Sequence, residues 1–310
     1  MPDPSSPFDT RRPFSRADAI AAGIDPKLLR GSGFRRIFRG VLVDTSVPPT
    51  PELRVEAALV PFHASAYASH ASAARVHRLP IPTLPDEHVT VLDPDHRRTR
   101  SGIRCHVAKT GLVRRVRGIR VSDYAQTFVE LAETLSLVDL VIVGDNLVRK
   151  GKVTPEKLIR FCRDSTLPGA QCALDAARYV REGVDSPMET RLRMLIVLAG
   201  LPEPKVNLVI RDEYGHPVRR YDLWYEKSRT LVEYDGRQHI EREQNWESDL
   251  ERREEIDDTR ARILVVTAKG VHAYPERTLL KVQRVLRERG EPGVPTRLSD
   301  AWRPHFPGYH

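Results

Sequence analysis

The sequence predicts a mixed α+β protein in three regions, spanning residues 1–50, 51–183 and 184–310. Segments with helical and strand periodicity alternate along the chain, and Pro- and Gly-rich stretches separate them. A linker-like run at 46–51 closes the first region. A chain of 310 residues is long enough for one large domain or for two to three small ones.

The composition is that of a globular protein. Hydrophobic residues make up 40% of the chain and charged residues 30%, which excludes the disordered class. The most apolar stretch, 131–148, contains three acids, and each would cost roughly 2.5–3.5 kcal/mol at a bilayer centre. The N-terminus lacks the apolar core of a signal peptide, and three irregularly spaced cysteines fit a reducing compartment. We therefore expect a cytoplasmic protein with no membrane partner.

The positive charge is concentrated in the N-terminal part. The chain carries a formal charge of +8, and residues 1–180 hold 27 Lys and Arg against 19 Asp and Glu, a difference of +8. Residues 181–310 hold 23 of each and are neutral. This asymmetry favours a polyanion bound from the N-terminal side, the alternative being a generally arginine-rich proteome.

The first region has the minimal outline of a winged helix-turn-helix. Ser15 and Asp18 predict a capping box that opens a short helix. Asp25 followed by Pro26 predicts the start of a second helix, and residues 34–44 predict a hairpin. Four arginines cluster where the second helix meets the hairpin and are candidates for contacts to DNA phosphates, the alternative being a solvated basic turn: Arg30, Arg35, Arg36 and Arg39.

The middle region is predicted to be mixed and to lack a catalytic constellation. Helices are expected at 52–61, 70–77, 124–135, 137–149 and 155–163, and strands at 87–92 and 103–107. Cys105 and His106 are adjacent, but without a second pair of ligands they favour a buried thiol beside an ordinary strand histidine over a metal site.

Four motifs of the first two regions carry a resemblance to a known group of proteins. They are Phe14-Ser-Arg-Ala-Asp-Ala-Ile-Ala-Ala-Gly23, Phe38-Arg-Gly-Val-Leu-Val43, Ala68-Ser-His-Ala-Ser-Ala-Ala74 and Val121-Ser-Asp-Tyr-Ala-Gln-Thr-Phe-Val-Glu-Leu-Ala132. This half of the chain resembles AbiEi-like antitoxins and transcriptional regulators. The resemblance implies DNA binding. Gln126 and Glu130 depart from it, standing where Arg and Asp are common.

The third region predicts the order helix, three strands, helix, strand, helix. A capping box, Ser186 to Glu189, opens the first helix, and Gly200 ends it. Strands are expected at 206–211, 218–224, 230–234 and 263–267, a long charged helix at 241–260 and a closing helix at 275–289. This is the core order of the PD-(D/E)XK (restriction-endonuclease-like) fold.

Acidic residues lie where that fold needs metal ligands. Glu233 and Asp235 share one face of a strand because side chains alternate, and Asp222 can lie beside them across the hairpin. Crowded carboxylates repel one another unless a divalent cation neutralises them, and oxygen ligands favour Mg²⁺ or Mn²⁺. Glu189 is a further candidate ligand or a simple helix cap. Asp222 could instead be an exposed acid of a polar hairpin.

The last 120 residues resemble a specific nuclease family. The matching segments are Ser186-Pro-Met-Glu-Thr-Arg-Leu-Arg193, Gly200-Leu-Pro-Glu-Pro204, Tyr221-Asp-Leu223, Val232-Glu-Tyr-Asp-Gly-Arg-Gln-His239 and Trp246-Glu-Ser-Asp-Leu-Glu-Arg-Arg253. They are similar to very-short-patch-repair-endonuclease-like domains. The resemblance implies that Asp222 with Glu233 or Asp235 holds the metal, and that His239 is an acid/base or phosphate contact. A histidine at a helix start with no role is the alternative for His239.

Two functions follow from these observations. The first is a DNA-binding protein whose metal-dependent endonuclease domain hydrolyses phosphodiester bonds with Mg²⁺ or Mn²⁺. The second is a non-catalytic DNA-binding regulator or antitoxin that retains a nuclease fold. Asp235 stands where the superfamily usually has a water-positioning lysine, which favours the second function, while the retained acids favour the first.

Overall fold

The computed structural model describes residues 8–211, 214–235 and 261–308. Its contacts divide the chain into two compact units. Unit 1 comprises Met1–Thr134 and Phe161–Ala173, and unit 2 comprises Leu135–Arg160 and Leu174–His310. Each unit combines helices with β-sheet, so the predicted α+β class is confirmed.

The N-terminal elements of unit 1 form a three-stranded sheet with one short helix. The order is β1 (Phe14–Ser15), α1 (Arg16–Ala21), β2 (Phe34–Phe38) and β3 (Val41–Asp44), with β3 between β1 and β2. Ser15 caps α1 as predicted, because its hydroxyl accepts the Asp18 N–H at 3.0 Å. The predicted hairpin is also confirmed, since β2 and β3 pair antiparallel.

The second helix predicted in this region is wrong. Asp25 does accept the Lys27 N–H at 2.7 Å, as an N-cap would, but only a 3₁₀ turn, Leu28–Arg30, follows. Gly31 and Gly33 come directly after this turn. The segment is thus too short to offset the cost of helix nucleation, and glycine disfavours further extension.

The rest of unit 1 is built around a five-stranded sheet of order β6-β5-β4-β8-β7. Its strands are β4 (Tyr67–Ala68), β5 (Glu87–Val91), β6 (Ile103–Val107), β7 (Val113–Val116) and β8 (Ile119–Ser122). The helices are α2 (Pro51–Leu59), α3 (His70–Val76) and α4 (Tyr124–Leu131), and a 3₁₀ turn spans Pro94–His96. The predicted helices and strands are present, whereas β4, β7 and β8 were not predicted.

The N-terminal hairpin and the five-stranded sheet share one hydrophobic core. Phe38 and Val41 of the hairpin lie in the same buried cluster as Ala57 of α2 and Val89 of β5. Burial of such side chains contributes roughly 25 cal/mol for each Å² of apolar surface removed from water. The hairpin is therefore packed against the sheet rather than projecting from it.

Three helices follow α4 along the chain: α5 (Leu137–Arg149), α6 (Pro155–Asp164) and α7 (Ala170–Ala177). The predicted boundary at residue 183 follows all three, whereas α5 lies within unit 2. In the part of the chain that the structure describes, no helix is long and apolar enough to cross a membrane.

Unit 2 contains a four-stranded sheet of order β12-β11-β10-β9. Helix α8 (Pro187–Leu198) precedes β9 (Lys205–Arg211), β10 (Pro217–Tyr225) and β11 (Thr230–Asp235), and β12 (Arg262–Thr267) leads into α9 (Ala268–His272) and α10 (Pro275–Glu288). Strands β9, β10 and β11 are antiparallel neighbours, and β12 lies parallel to β11. The predicted order is confirmed for α8, the four strands and α10, whereas α9 was not predicted.

Side chains from helices and sheet form the buried core of unit 2. Leu195 of α8, Val232 of β11 and Leu264 of β12 are fully or almost fully buried, as is Leu279 of α10. Helix α8 contacts both β10 and β11. This packing sets α8 against the two strands that carry the predicted acids.

Candidate functional site

Three predicted acids lie on the two central strands of the unit 2 sheet. Leu223 of β10 pairs with Val232 of β11 in the antiparallel ladder, so the next position sets Asp222 opposite Glu233. Directly opposed residues of an antiparallel pair project from the same face. Asp235 follows Glu233 by two positions and shares that face. The register thus brings Asp222 and Glu233 together.

The Asp222 carboxylate is held by the neighbouring strand. Its Oδ2 accepts the backbone N–H of Tyr234 at 2.8 Å. Glu233 is 9% exposed, while Asp222 and Asp235 are half-buried. A carboxylate taken this far from water needs a positive partner or hydrogen bonds to remain charged. The arrangement concentrates negative charge at one place on the sheet.

Glu189 joins this group from the first turn of α8. Ser186 caps the helix by accepting the Glu189 N–H at 3.2 Å, and Glu189 Oε2 accepts the Asp185 N–H at 3.0 Å. Burial raises the pKa of Glu189, and the charge of Asp222 raises it further. Glu189 can therefore serve in either predicted role. Its carboxylate accepts a backbone N–H at the start of the helix, and its pKa responds to the charge of Asp222 on the sheet.

The acids are near one another without being closely clustered. Among the described residues, no three of the predicted acids have carboxylate oxygens that all lie within 4.8 Å of one another. Like charges at short range disfavour closer approach in the absence of a cation. The remaining predicted site residue, His239, lies outside the described residues, as does the charged helix predicted at 241–260.

An ion pair beside the acids was not predicted. Arg220 lies two positions before Asp222 on β10, and its guanidinium pairs with the carboxylate of Asp185. The same loop residue donates its N–H to Glu189. Because side chains alternate along β10, Arg220 and Asp222 lie on one face, and the sequence alone could have shown this. The pairing of Arg220 with Asp185 depends on how α8 packs and could not be predicted.

The predicted phosphate-binding arginines lie in unit 1. Arg30, Arg36 and Arg39 are exposed, whereas Arg35 is half-buried and donates to the Val47 carbonyl at 2.9 Å. Three guanidinium groups are thus accessible to a polyanion. The fourth has a structural contact with the linker that follows the hairpin.

A groove of about 910 Å³ borders this cluster and is lined by arginines of β2, α2 and α3 and of the turn that follows α3. Two of these arginines, Arg54 and Arg75, donate to the buried carboxylate of Glu87 at 3.1 and 2.7 Å, and Arg78 donates to Glu52 at 3.1 Å. The guanidinium charge on this wall is therefore largely balanced. Arg36 adds an exposed cation at the groove's rim.

No family model matches this chain, and no curated protein is significantly similar to it in sequence.

Proposed function

We propose that the protein binds DNA and that unit 2 hydrolyses phosphodiester bonds with the help of a divalent cation. The observation that carries this proposal is the register of β10 and β11, which sets Asp222 opposite Glu233. Besides burial, the charge of Asp222 also raises the pKa of Glu189 on α8. The finer fold assignment, PD-(D/E)XK, belongs to the same proposal and is supported by the order of the described elements.

The donor set fits a hard cation. Asp222, Glu233, Asp235 and Glu189 offer oxygen atoms alone, which suits Mg²⁺ or Mn²⁺. Asp222 and Glu233 would hold the ion, with Asp235 and Glu189 beside them. Such an ion, when bound, orients a water molecule and stabilises charge that develops on the phosphate. The protein contributes by fixing the carboxylates on a rigid sheet, so that these ligands need little reorganisation when the ion binds.

The hydrogen bond from Tyr234 N–H to Asp222 has a specific consequence. It holds one oxygen of the carboxylate against β11 and so fixes the orientation of the side chain on the sheet. Orientation of a ligand by a backbone group is a common device in metal sites. His239, which lies outside the described residues, is the proposed acid/base or phosphate contact.

A non-catalytic regulator is the second candidate. Asp235 occupies the position at which the superfamily usually carries a water-positioning lysine, and Arg220, the cation nearest along β10, is engaged with Asp185. A protein of this kind would bind DNA through unit 1 and use the unit 2 sheet only as a binding surface. The exposed arginines near the N-terminal hairpin are common to both candidates.

A cleavage assay separates the two candidates. The full chain is incubated with duplex, mismatched and single-stranded DNA in Mg²⁺, in Mn²⁺ and in a chelator. Metal-dependent cutting of any substrate supports the nuclease. The regulator replaces it if no substrate is cut and calorimetry detects no binding of either ion, while a mobility-shift assay still shows DNA binding.

The proposed contact of the N-terminal arginines with DNA phosphates gives a prediction about salt. Arg30, Arg36 and Arg39 are reversed to glutamate together, while Arg35 is kept because it contacts Val47. Each arginine that neutralises a phosphate adds roughly 0.9 to the magnitude of the slope of log affinity against log salt. We expect DNA affinity to fall and the slope to flatten by up to about 2.7.

The matched control reverses three exposed arginines of unit 2. Arg277, Arg284 and Arg287 on α10 supply the same change in net charge within unit 2. Equal slopes for both triple variants would show that only overall charge matters and that the N-terminal cluster is a solvated surface.

A further inference from the structure

Three histidines from separate segments of unit 1 meet in its interior. His70 begins α3, His88 lies on β5 and His106 lies on β6, and a nitrogen of each lies within 4.8 Å of those of the other two. The rings of His70 and His106 stack with centroids 3.9 Å apart. His88 Nδ1 and His106 Nε2 are 3.0 Å apart. His70 and His88 are 5% exposed.

One nitrogen of this cluster lacks a hydrogen bond. His70 Nδ1 lies 2.9 Å from the hydroxyl of Ser69, which itself accepts a hydrogen bond from Thr90. His70 Nε2 is buried and has no hydrogen-bond partner. A buried polar atom without a partner costs about 1–3 kcal/mol, so its persistence calls for an explanation. In the tautomer with the proton on Nδ1, Nε2 presents a bare lone pair.

The backbone of His70 is also strained. Its φ of +49° lies in the left-handed region, which costs a residue other than glycine of order 1–3 kcal/mol. The buried Glu130 accepts the His70 N–H at 2.8 Å and holds it in this conformation. Glu130 in turn accepts from Gln126 and Ser122, so the position of His70 is fixed by a hydrogen-bonded network.

Charges of both signs lie around the cluster. The nearest acids are Glu133, with Oε1 3.7 Å from His70 Nε2, and Glu130, with Oε2 4.0 Å from His70 Nδ1. Besides burial, the charge of Arg104 lowers the pKa of all three histidines; its guanidinium is exposed to solvent and pairs with Asp86 at 3.8 Å. Burial lowers the pKa of His70 to about 2 and that of His88 to about 4. Both rings are therefore neutral near pH 7 and available as ligands.

We infer that His70, His88 and His106 form a binding site for one Zn²⁺ ion. Imidazole nitrogens bind Zn²⁺ at about 2.0–2.1 Å, so two such ligands of one tetrahedral ion lie about 3.3–3.4 Å apart. The separation of the His88 and His106 nitrogens is already close to this value. The lone pairs of two stacked rings point side by side, so His70 or His106 turns about its side-chain bonds on binding. Glu133 or water supplies the fourth ligand.

The site is independent of the proposed nuclease centre. It lies in unit 1, it uses nitrogen ligands that suit a borderline ion, and it joins the start of α3 to two neighbouring strands. An ion bound by three separate segments in the folded state alone stabilises that state by mass action. The proposed role of the Zn²⁺ is thus to stabilise unit 1.

Titration of the full chain with Zn²⁺ tests this inference. Metal-stripped protein is kept in saturating Mg²⁺ to occupy carboxylate sites, and binding is followed by calorimetry and by the midpoint of thermal unfolding. We expect one Zn²⁺ per chain and a rise in the midpoint. Replacing the half-buried His106 by glutamine should weaken binding by roughly 100-fold or more and remove the rise. Co²⁺ should give the visible spectrum of a tetrahedral site.

Three further variants make the outcome decisive. His88→Gln should behave like His106→Gln, with circular dichroism confirming that each variant folds. His63→Gln removes an exposed histidine outside the cluster and should bind Zn²⁺ as the wild type does, as should Asp222→Asn. The inference fails if folded wild type takes up no Zn²⁺, or if both cluster variants bind it as tightly as the wild type. Neither result bears on DNA cleavage.

Discussion

Replacing Asp222 by asparagine is expected to reduce metal-dependent DNA cleavage by about 100- to 1,000-fold. A bound metal contributes several kcal/mol to stabilisation of the transition state, and each 1.4 kcal/mol is about tenfold in rate. The substitution keeps the shape of the side chain and removes its charge. Its amide oxygen still accepts the Tyr234 N–H, so the contact that joins the side chain to β11 is preserved.

The same substitution should leave binding and folding intact. DNA affinity through the exposed arginines of unit 1 is expected to be unchanged. The metal-free protein should become slightly more stable, because Asp222 raises the pKa of Glu189 and its charge repels the neighbouring acids. Loss of that charge should lower the pKa of Glu189, which a titration followed by NMR would detect.

A control on the same sheet isolates the effect of the site. Glu226 is an exposed acid that follows β10 and pairs with Lys205, and Glu226→Gln removes one negative charge away from Asp222. Cleavage by Glu226→Gln should equal that of the wild type. If Asp222→Asn also cuts at the wild-type rate, Asp222 is not a metal ligand and the proposed centre is wrong.

Local signals in the sequence predicted much of the fold. The helix N-caps at Ser15 and Ser186 are formed as predicted, because each hydroxyl accepts the N–H of a residue three positions on and needs no distant partner. The strands of unit 2 were predicted because apolar runs stand between clear turns. The acids of β10 and β11 face each other because a short hairpin fixes their register.

The features that the sequence did not predict depend on distant contacts. The two-residue strand β4 has no periodicity of its own and exists because β5 and β8 flank it. The histidine cluster was missed for the same reason. His106 was considered with its neighbour Cys105, but alternation turns the Cys105 side chain toward the hydrophobic core and His106 toward His70 and His88. No spacing rule links these three histidines.

The ion pair between Arg193 and Asp145 was also invisible in the sequence. Arg193 of α8 is fully buried, and its Nη2 lies 2.8 Å from Oδ2 of Asp145 on α5, which is 2% exposed. Asp145 also accepts from the Thr190 hydroxyl and the Arg181 N–H, both at 2.8 Å. These groups lie in segments about 40 residues apart, and each alone resembles an ordinary charge on a helix.

We expect Arg193→Met to lower the free energy of unfolding by about 3–5 kcal/mol, because it leaves the buried Asp145 without its cation. Arg191→Met is the matched control. Arg191 pairs with Asp139 at 2.6 Å across the same two helices, but both side chains are partly exposed, and such a pair contributes about 0–1 kcal/mol. Urea denaturation of the full chain at pH 7 measures both values.

The decrease in the free energy of unfolding caused by Arg193→Met should also depend on pH. Burial raises the pKa of Asp145, and the charge of Arg193 opposes this rise, so the substitution raises that pKa further. An acid whose pKa is higher in the folded state than in the unfolded state binds its proton more tightly when folded. Its penalty is therefore absent below the unfolded pKa of about 3.9 and grows as the pH rises toward the folded value. We thus expect Arg193→Met to lose less stability at pH 4 than at pH 7, and Arg191→Met to lose little at either pH.

Equal losses of stability for the two variants at pH 7 would show that the buried pair contributes no more than a surface pair, and that the packing of α5 on α8 is held by apolar contacts alone.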